Sequence, residues 1–164
     1  MFGNARRKNI DEVIEANLDC LVRFAYFRVN DREEAEDIVY EAVLRLLEIN
    51  RKNRLNDIKC YLFRIVYNLC QDSWRRKHME SVPLDSIDIP DNCDEQLDQE
   101  EIDRINRLLE VLPSIEAEVI RMNVVDELSF VEISQIMDMP QTTIKSRFYS
   151  GMKKLKHKYF INNQ

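Results

Sequence analysis

The sequence predicts an all-α protein built as two small helical domains joined by an acidic linker. Three observations predict it. Only two glycines occur in 164 residues, Gly3 and Gly151, whereas sheets and phosphate-binding loops need many tight turns that favour glycine. The chain is rich in Leu, Ile, Glu, Lys and Arg, a composition suited to helices. Apolar side chains recur at helical spacing in both halves, and a glycine-free acidic stretch with two prolines separates those halves.

The front half, residues 1–80, reads as three helices. The first runs from about Ile10 to Val29. In the second, Ala35, Ile38, Val39, Ala42, Val43, Leu46 and Leu47 fall at i, i+3, i+4, i+7, i+8, i+11 and i+12, which is one helix face. Asp31 is a plausible N-cap there, and Glu33, Glu34, Glu36 and Asp37 suit the positive end of the helix dipole. Asn50 to Lys59 is polar and reads as a loop. The third helix runs from about Cys60 to His78, with Leu62, Val66, Leu69 and Ser73 pointing one way. Trp74 lies beside that stripe and is read as core rather than as a stacking platform.

Residues 81–103 carry nine acidic side chains and no basic one. With Pro83 and Pro90 and no sustained period before Cys93, the segment reads as an extended, self-repelling linker. Residues 104–164 divide into four shorter helices. The first spans about Ile102 to Leu112 and stops at Pro113, and the second spans Ser114 to about Val125. The third begins at Ser129, where Ser129 to Glu132 form a capping box, and ends near Met137. The fourth starts near Pro140, suited to a first helical turn, and runs to about Tyr159.

The net charge of −6 looks wrong for a nucleic-acid binder until its distribution is counted. Residues 1–80 hold 15 basic and 14 acidic side chains, and residues 104–164 hold 9 and 7, so the deficit sits in the linker. Six basic side chains and no acid fall between Lys145 and Lys158. Local charge decides whether a face can meet phosphates. The four cysteines, Cys20, Cys60, Cys70 and Cys93, form no C-x-x-C pair, and neither His78 nor His157 lies near one. No metal site and no cofactor is expected, and the thiols read as reduced, some of them core fillers. No apolar run approaches the ~20 residues that span a membrane, and the N-terminus lacks the apolar stretch of a signal peptide. There is no Ser/His/Asp set and no glycine-rich phosphate loop, so the chain is not expected to be an enzyme or to take a small-molecule substrate.

The third and fourth helices of the back half are joined by only about three residues, Asp138, Met139 and Pro140. Two short helices with so tight a turn form a helix-turn-helix, here expected in a winged-helix-like DNA-binding domain. Ile133, Ile136, Met137, Met139, Ile144, Phe148, Met152 and Leu155 supply its apolar side. The opposite face of the last helix carries Thr142, Lys145, Ser146, Tyr149, Lys153 and Lys156, donor-rich and basic as a helix in the DNA major groove must be. An ordinary helical hairpin with a solvated basic face would show the same pattern.

Leu108 to Lys156 resembles region 4 of the extracytoplasmic-function sigma factors. The Leu112–Pro113 pair, the L-S-x-x-E-I run from Leu128 to Ile133 and the T-I-K-S-R run from Thr143 to Arg147 carry the likeness. In that family this domain reads the promoter −35 element. By position, Lys145, Ser146 and Tyr149 would face bases or adjacent phosphates, Thr143 and Arg147 would hold the backbone, and Thr142 would lie on the same face. Asp138 and Thr142 stand where family members often have glycine; Asp tolerates a left-handed turn.

Asn30 to Glu48 resembles regions 2.1–2.2, most closely in the D-x-E-x-A-E-D-I-V stretch from Asp31 to Val39. That helix docks on the β′ clamp of RNA polymerase in the family, which implies roles for Asp37, Glu41, Arg45 and Glu48. Ile58 to Lys77 resembles regions 2.3–2.4, with Y-L-F-R-I-V-Y-N at Tyr61 to Asn68. A polar edge of Tyr61, Arg64, Asn68, Gln71 and Arg75 suits the unpaired bases of a melted −10 strand. By the same analogy the Asn50–Asp57 loop would rim a pocket for a flipped-out base, with Asn68 the leading candidate contact.

The resemblance implies a non-enzymatic promoter-recognition subunit whose partners are core RNA polymerase (β′ clamp and β flap), promoter DNA and, as in many relatives, an anti-sigma factor. It implies a cytoplasmic bacterial protein, held at the membrane where such a partner resides there. The linker could mimic nucleic-acid charge near the RNA exit path. With few cations to release counterions, the free chain is expected to bind DNA weakly. Two other readings remain open at this point. One is a stand-alone helix-turn-helix regulator with a dimerising front half; the other is a helical adaptor that binds only protein.

Overall fold

The structure, a computed structural model, describes the backbone of residues 2–79 and 99–161 and the side chains of 9–79 and 99–160. All regular elements among the described residues are helical: α1 (Phe2–Val29), α2 (Arg32–Lys52), α3 (Ile58–Met79), α4 (Gln99–Leu109), α5 (Ser114–Ile120), α6 (Phe130–Met137) and α7 (Gln141–Ile161), with a π-helical turn at Arg121–Val125. The helix-turn-helix is accompanied by no strand among these residues, and the all-α, two-domain expectation, with its winged-helix-like helix-turn-helix, holds.

Helices α1, α2 and α3 pack on one another around Leu21, Phe24, Leu46, Leu62 and Val66, all fully buried. The Phe24 and Phe63 rings meet edge to face at 5.3 Å. Asp31 caps α2 as its sequence suggested, accepting from the Glu34 amide at 3.0 Å. Ala35, Ile38, Val39, Ala42 and Leu46 form the buried stripe, while Leu47, at the margin of the periodic set, stays 37% exposed. The polar loop is shorter than its composition implied, because α2 continues to Lys52 and α3 begins at Ile58. Asp57 starts α3 by accepting from the Cys60 amide at 3.0 Å.

The linker is also shorter at its back end. Residues 99–103, read as linker, open α4, whose first turn gains from Glu100 and Glu101 at the positive end of its dipole. The rest of the acidic segment lies outside the described residues, as does Cys93. Pro113 separates α4 from α5. The single helix expected to reach Val125 instead ends in the wider turn, closed by Asp126 N–H to Arg121 O at 3.1 Å. The capping box at Ser129 is present: its Oγ accepts from the Glu132 amide at 3.2 Å, and Glu132 accepts from the Ser129 amide at 2.8 Å. Asp138 ends α6 in the left-handed region at φ 54°. Helix α7 crosses α5 closely at Gly151, where an added Cβ would lie 2.6 Å from Ile120 Cδ1 and the Ile120 side chain would have to shift.

The two halves are not separate cores. Val119, Met122, Leu128, Ile133, Ile136 and Ile144 of the back half belong to the same buried cluster as the α1–α3 core. Helix α6 packs on α3. Cys60 and Cys70 are buried core fillers whose thiols burial pushes up to about 12, so they stay protonated; Cys20 is exposed.

Candidate nucleic-acid and polymerase interface

Three surfaces carry the residues singled out by sequence. On α7, Thr142, Lys145, Ser146, Arg147 and Tyr149 are exposed and Thr143 is half-buried. The helix turns this face outward because Ile144 and Phe148 sink into the apolar side of the motif. Tyr149 packs its ring edge-on to Phe148 at 5.4 Å, which fixes the ring while leaving it 64% exposed. Lys145 has no ion-pair partner among the described residues, so its charge is free for a phosphate.

On α2, Asp37, Glu41, Arg45 and Glu48 all lie exposed. Arg45 pairs with Glu41, and Lys52 pairs with Glu48 at 3.6 Å. Beside them stand Tyr40, Leu44 and Leu47, at 69%, 50% and 37% exposure. The sequence reading named the charges and missed Tyr40 and Leu44. Their signal was present as a second i, i+4, i+7 stripe next to the core stripe. An exposed apolar strip edged with charge is what a protein-docking face needs.

On α3, the five residues of the polar edge do not share one environment. Asn68 and Arg75 are exposed, with Arg75 tied to Asp72 at 3.2 Å. Tyr61, Arg64 and Gln71 are half-buried. Tyr61 packs on the core, and Arg64 Nη2 lies 3.6 Å from Asp138 of the helix-turn-helix. Trp74, read as core, is instead 54% exposed and stacks on the His78 ring at 3.7 Å. It misses the buried arc, which Leu69, Cys70 and Ser73 already fill, so the ring lies along the helix surface. The α2–α3 loop does border a hollow of about 250 Å³, lined by Asn9, Ile10, Asn50, Arg54, Leu55, Asn56 and Ile58. Asn68 is not among those lining residues.

Between these surfaces lies a buried polar junction that the sequence reading did not foresee. Arg28 of α1 donates through Nε to Glu118 Oε1 at 2.7 Å and through Nη1 to the Phe24 carbonyl at 2.6 Å. Its Nη2 reaches the same Glu118 oxygen and Asp126 Oδ2, the latter at 3.1 Å. The guanidinium also sits 3.5 Å over the Phe24 ring. Arg121 donates to the other Glu118 oxygen at 2.8 Å and to Asn106 at 3.2 Å. Burial works against the Arg28 charge, but Glu118 and Asp126 outweigh it and raise its pKa. For Asp126 burial dominates, and its pKa is raised despite Arg28. The Arg28–Glu118 pairing follows no rule visible in sequence, because the two residues are 90 positions apart; only Arg121–Glu118 has local, i,i+3 spacing.

Among the described residues no group of three or more His, Cys, Asp or Glu side chains could hold a metal ion, and no helix is long and apolar enough to cross a membrane. A helix-turn-helix with an outward basic face, beside a helical domain with an exposed apolar strip edged by charge and a polar helix edge, is the arrangement of a DNA-binding protein. Residues 13–79 match the model of sigma-70 region 2, and residues 102–155 match that of sigma-70 region 4. Together they cover about three quarters of the chain, in order, and the chain belongs to the sigma-70 family.

Its relatives are of the extracytoplasmic-function type. It is 27% identical over 165 residues to the ECF RNA polymerase sigma factor SigW of Bacillus subtilis, covering 88% of this chain and 86% of that one. It is 25% identical to the RNA polymerase sigma-E factor of Streptomyces coelicolor, covering 89% and 83%. Its fold is similar to that of the sigma factor RpoE of Bartonella quintana, solved with the anti-sigma factor NepR, with a TM-score of 0.65, 21% identity and coverage of 93% and 95%. The chain is thus a sigma factor, a non-enzymatic subunit that binds core RNA polymerase and directs promoter-specific initiation. The stand-alone regulator is not favoured.

Proposed function

We propose that α7 reads the −35 duplex, that the α3 edge holds the opened −10 strand, and that the exposed face of α2 docks on the polymerase β′ clamp. The outward face of α7 is the observation that carries this reading. Thr142, Lys145, Ser146, Arg147 and Tyr149 are exposed together on a helix whose other side is locked into the motif, the geometry of a major-groove reading head. Thr143, half-buried beside them, is placed to hold the backbone. On α3, Asn68 and Arg75 are ready for an unpaired strand, while Tyr61, Arg64 and Gln71 form its covered margin. On α2, Asp37, Glu41, Arg45 and Glu48 would set register while Tyr40, Leu44 and Leu47 supply the buried contact.

An anti-sigma protein is the further partner this reading suggests, since RpoE of Bartonella quintana was solved with one; a membrane-bound partner of that kind would hold the chain at the membrane. The test is reconstitution with core polymerase and run-off transcription from candidate promoters. Specific transcripts are expected from the wild-type chain. Leu44→Asp should abolish co-purification with core, and Lys145→Ala should lower transcript yield while co-purification persists. A Leu44→Asp chain that still co-purifies would reject the docking assignment.

A further inference from the structure

One side chain on the outward face of α7 is held by more than its own helix. Phe130 opens α6, where the capping box between Ser129 and Glu132 seats it at the first helical position. Its ring meets the Phe148 ring at 5.1 Å and 66° and lies 6.5 Å from the Tyr149 ring. Phe148 in turn meets Tyr149 at 5.4 Å and 83°. The three rings close a triangle, each side within the ~4.5–7 Å over which aromatic pairs attract. Phe130 and Phe148 are half-buried and pack on the cluster that holds Ile133, Ile136 and Ile144, whereas Tyr149 stands 64% exposed.

Helix α7 alone could not hold this ring. Successive residues on a helix point about 100° apart, so Phe148 meets Tyr149 along one side only. Phe130, arriving from α6, supplies the second contact. A tyrosine has two torsions to order, and two ring contacts restrain both before DNA arrives. A ring restrained in advance loses little further freedom on binding.

Such preorganisation serves an apolar target. Thr142, Lys145 and Ser146, exposed on the same face, offer hydroxyls and an ammonium, which suit the acceptors of bases and phosphates alike. The Tyr149 ring is the large apolar surface among them. In the major groove the apolar group on a base edge is the C5-methyl of thymine. We propose that Tyr149 is the thymine-reading residue of α7, and that Phe130 is its positioning residue, acting through the Tyr149 ring. The inference rests on the assignment of α7 to promoter duplex and deepens it by naming the group that is read.

The methyl can be removed without touching the protein, because deoxyuridine differs from thymidine only in lacking it. Burying one methyl against the ring should favour thymine over uracil about fourfold. Tyr149→Ala removes the ring and should abolish that preference, whereas Tyr149→Phe keeps the ring and should keep it. Phe130→Leu leaves an apolar side chain at the start of α6 but takes away the second ring contact. Tyr149 must then be ordered at the moment of binding, and the preference should fall to about twofold. Phe130→Tyr restores the ring and should restore the preference.

The experiment uses the full chain assembled with core polymerase. Duplexes are selected from a pool randomised through the −35 region, and each thymine of the selected sequence is then replaced by deoxyuridine in turn. One thymine is expected whose replacement weakens binding in the wild-type chain but not in Tyr149→Ala, and Phe130→Leu should add nothing in the Tyr149→Ala background. The thymine-to-uracil ratio is taken on a single protein sample, so a partly unfolded variant lowers both affinities together and leaves the ratio unmoved. If Lys145→Ala alters the selected sequence while no thymine shows a Tyr149-dependent preference, thymine reading is overturned and the assignment of α7 stands. If Lys145→Ala and Tyr149→Ala both leave the selected sequence unchanged, that assignment and the inference fall together. A preference lost in Tyr149→Phe makes the hydroxyl the reader and overturns the role of the ring. A preference that survives Phe130→Leu in full overturns the positioning role.

Discussion

The two helices proposed to meet DNA are both rich in polar and basic residues, yet only on α3 does a neighbouring helix, α6, lie against the polar edge. On α7 the outward face carries Lys145, with no counter-ion among the described residues, and Tyr149 at 64% exposure. On α3 the corresponding edge has Arg64 drawn to Asp138 and Arg75 drawn to Asp72. The difference follows from what each helix packs against. Helix α7 buries one stripe within its own motif, whereas α3 buries a stripe in the front core and has α6 lying along a second side. A face is defined by what its neighbours leave uncovered as well as by its residues. Similar side chains therefore stand open on α7 and partly covered on α3.

The junction between the halves offers the largest way to break that contrast. Glu118→Ala removes the acceptor shared by Arg28 and Arg121 and leaves two buried guanidiniums together. Breaking one side of such a buried network costs about 3–5 kcal/mol. The midpoint of urea unfolding should fall accordingly. A loss below about 1 kcal/mol would mean that the junction is already hydrated in solution and that the α3 edge is as open as α7.

A smaller effect is expected inside the back half. Gly151→Ala pushes a methyl against Ile120 and sets its Cβ 3.3 Å from Glu116 Cβ. Overpacking of this kind costs about 1–3 kcal/mol, offset by about 1 kcal/mol of helix propensity. Thermal unfolding should show a net loss of roughly 1 kcal/mol. Promoter binding through α7 should weaken, and the α3 edge should be unaffected.

Lys145→Ala and Arg64→Ala compare the two faces directly. A cation that neutralises one phosphate contributes about 0.9 to the salt slope of binding. For the polymerase-bound chain, both substitutions should lower the slope of promoter affinity by about one. For the free chain Lys145→Ala should still do so, while Arg64→Ala should change little, because Arg64 would exchange one anion for another. Titration of fluorescent promoter DNA at several salt concentrations reads both. Equal slopes for the two variants in the free chain would erase the distinction.

Most of the helices were legible in the sequence because their signals are local. Asp31 at the start of α2, the capping box at Ser129 and the apolar stripe from Ala35 to Leu46 each depend on residues a few positions apart. The turn at Asp138 was legible for the same reason. Trp74 was misplaced because its burial depends on which residues already fill the α3 stripe, a question of three-dimensional packing. The start of α4 at Gln99 was hidden by acidic composition, which serves a linker and a helix's first turn equally well. The outward exposure of α7's polar residues was legible from the apolar stripe opposite them. The state of the α3 edge was not, since it depends on Asp138 and Glu132, each more than 70 positions away.

The two regions also differ in how acid should affect them. Glu116, buried beneath α7, accepts from Ser150 at 2.9 Å and from Lys154 at 2.9 and 3.0 Å. Burial alone would raise its pKa, but those donors hold it below the ordinary 4.5. A carboxylate depressed on folding stabilises above its unfolded pKa, and that stability is lost as pH falls through the folded value. Asp126 at the junction is the opposite case, raised above the ordinary 3.8 by burial. Its contribution is most favourable at low pH and is lost as pH rises through the folded value. Between about pH 5 and 3 the two therefore oppose each other. The wild-type chain should lose under about 1 kcal/mol from this pair, because Lys154 is half-exposed and screened. Glu116→Gln should flatten the acid side of the stability profile, and Asp126→Asn should steepen it, as read by denaturant midpoints at successive pH values. Profiles that shift in the same direction for both would mean that Asp126 is hydrated, and that the junction does not keep the buried geometry on which the contrast between the two faces depends.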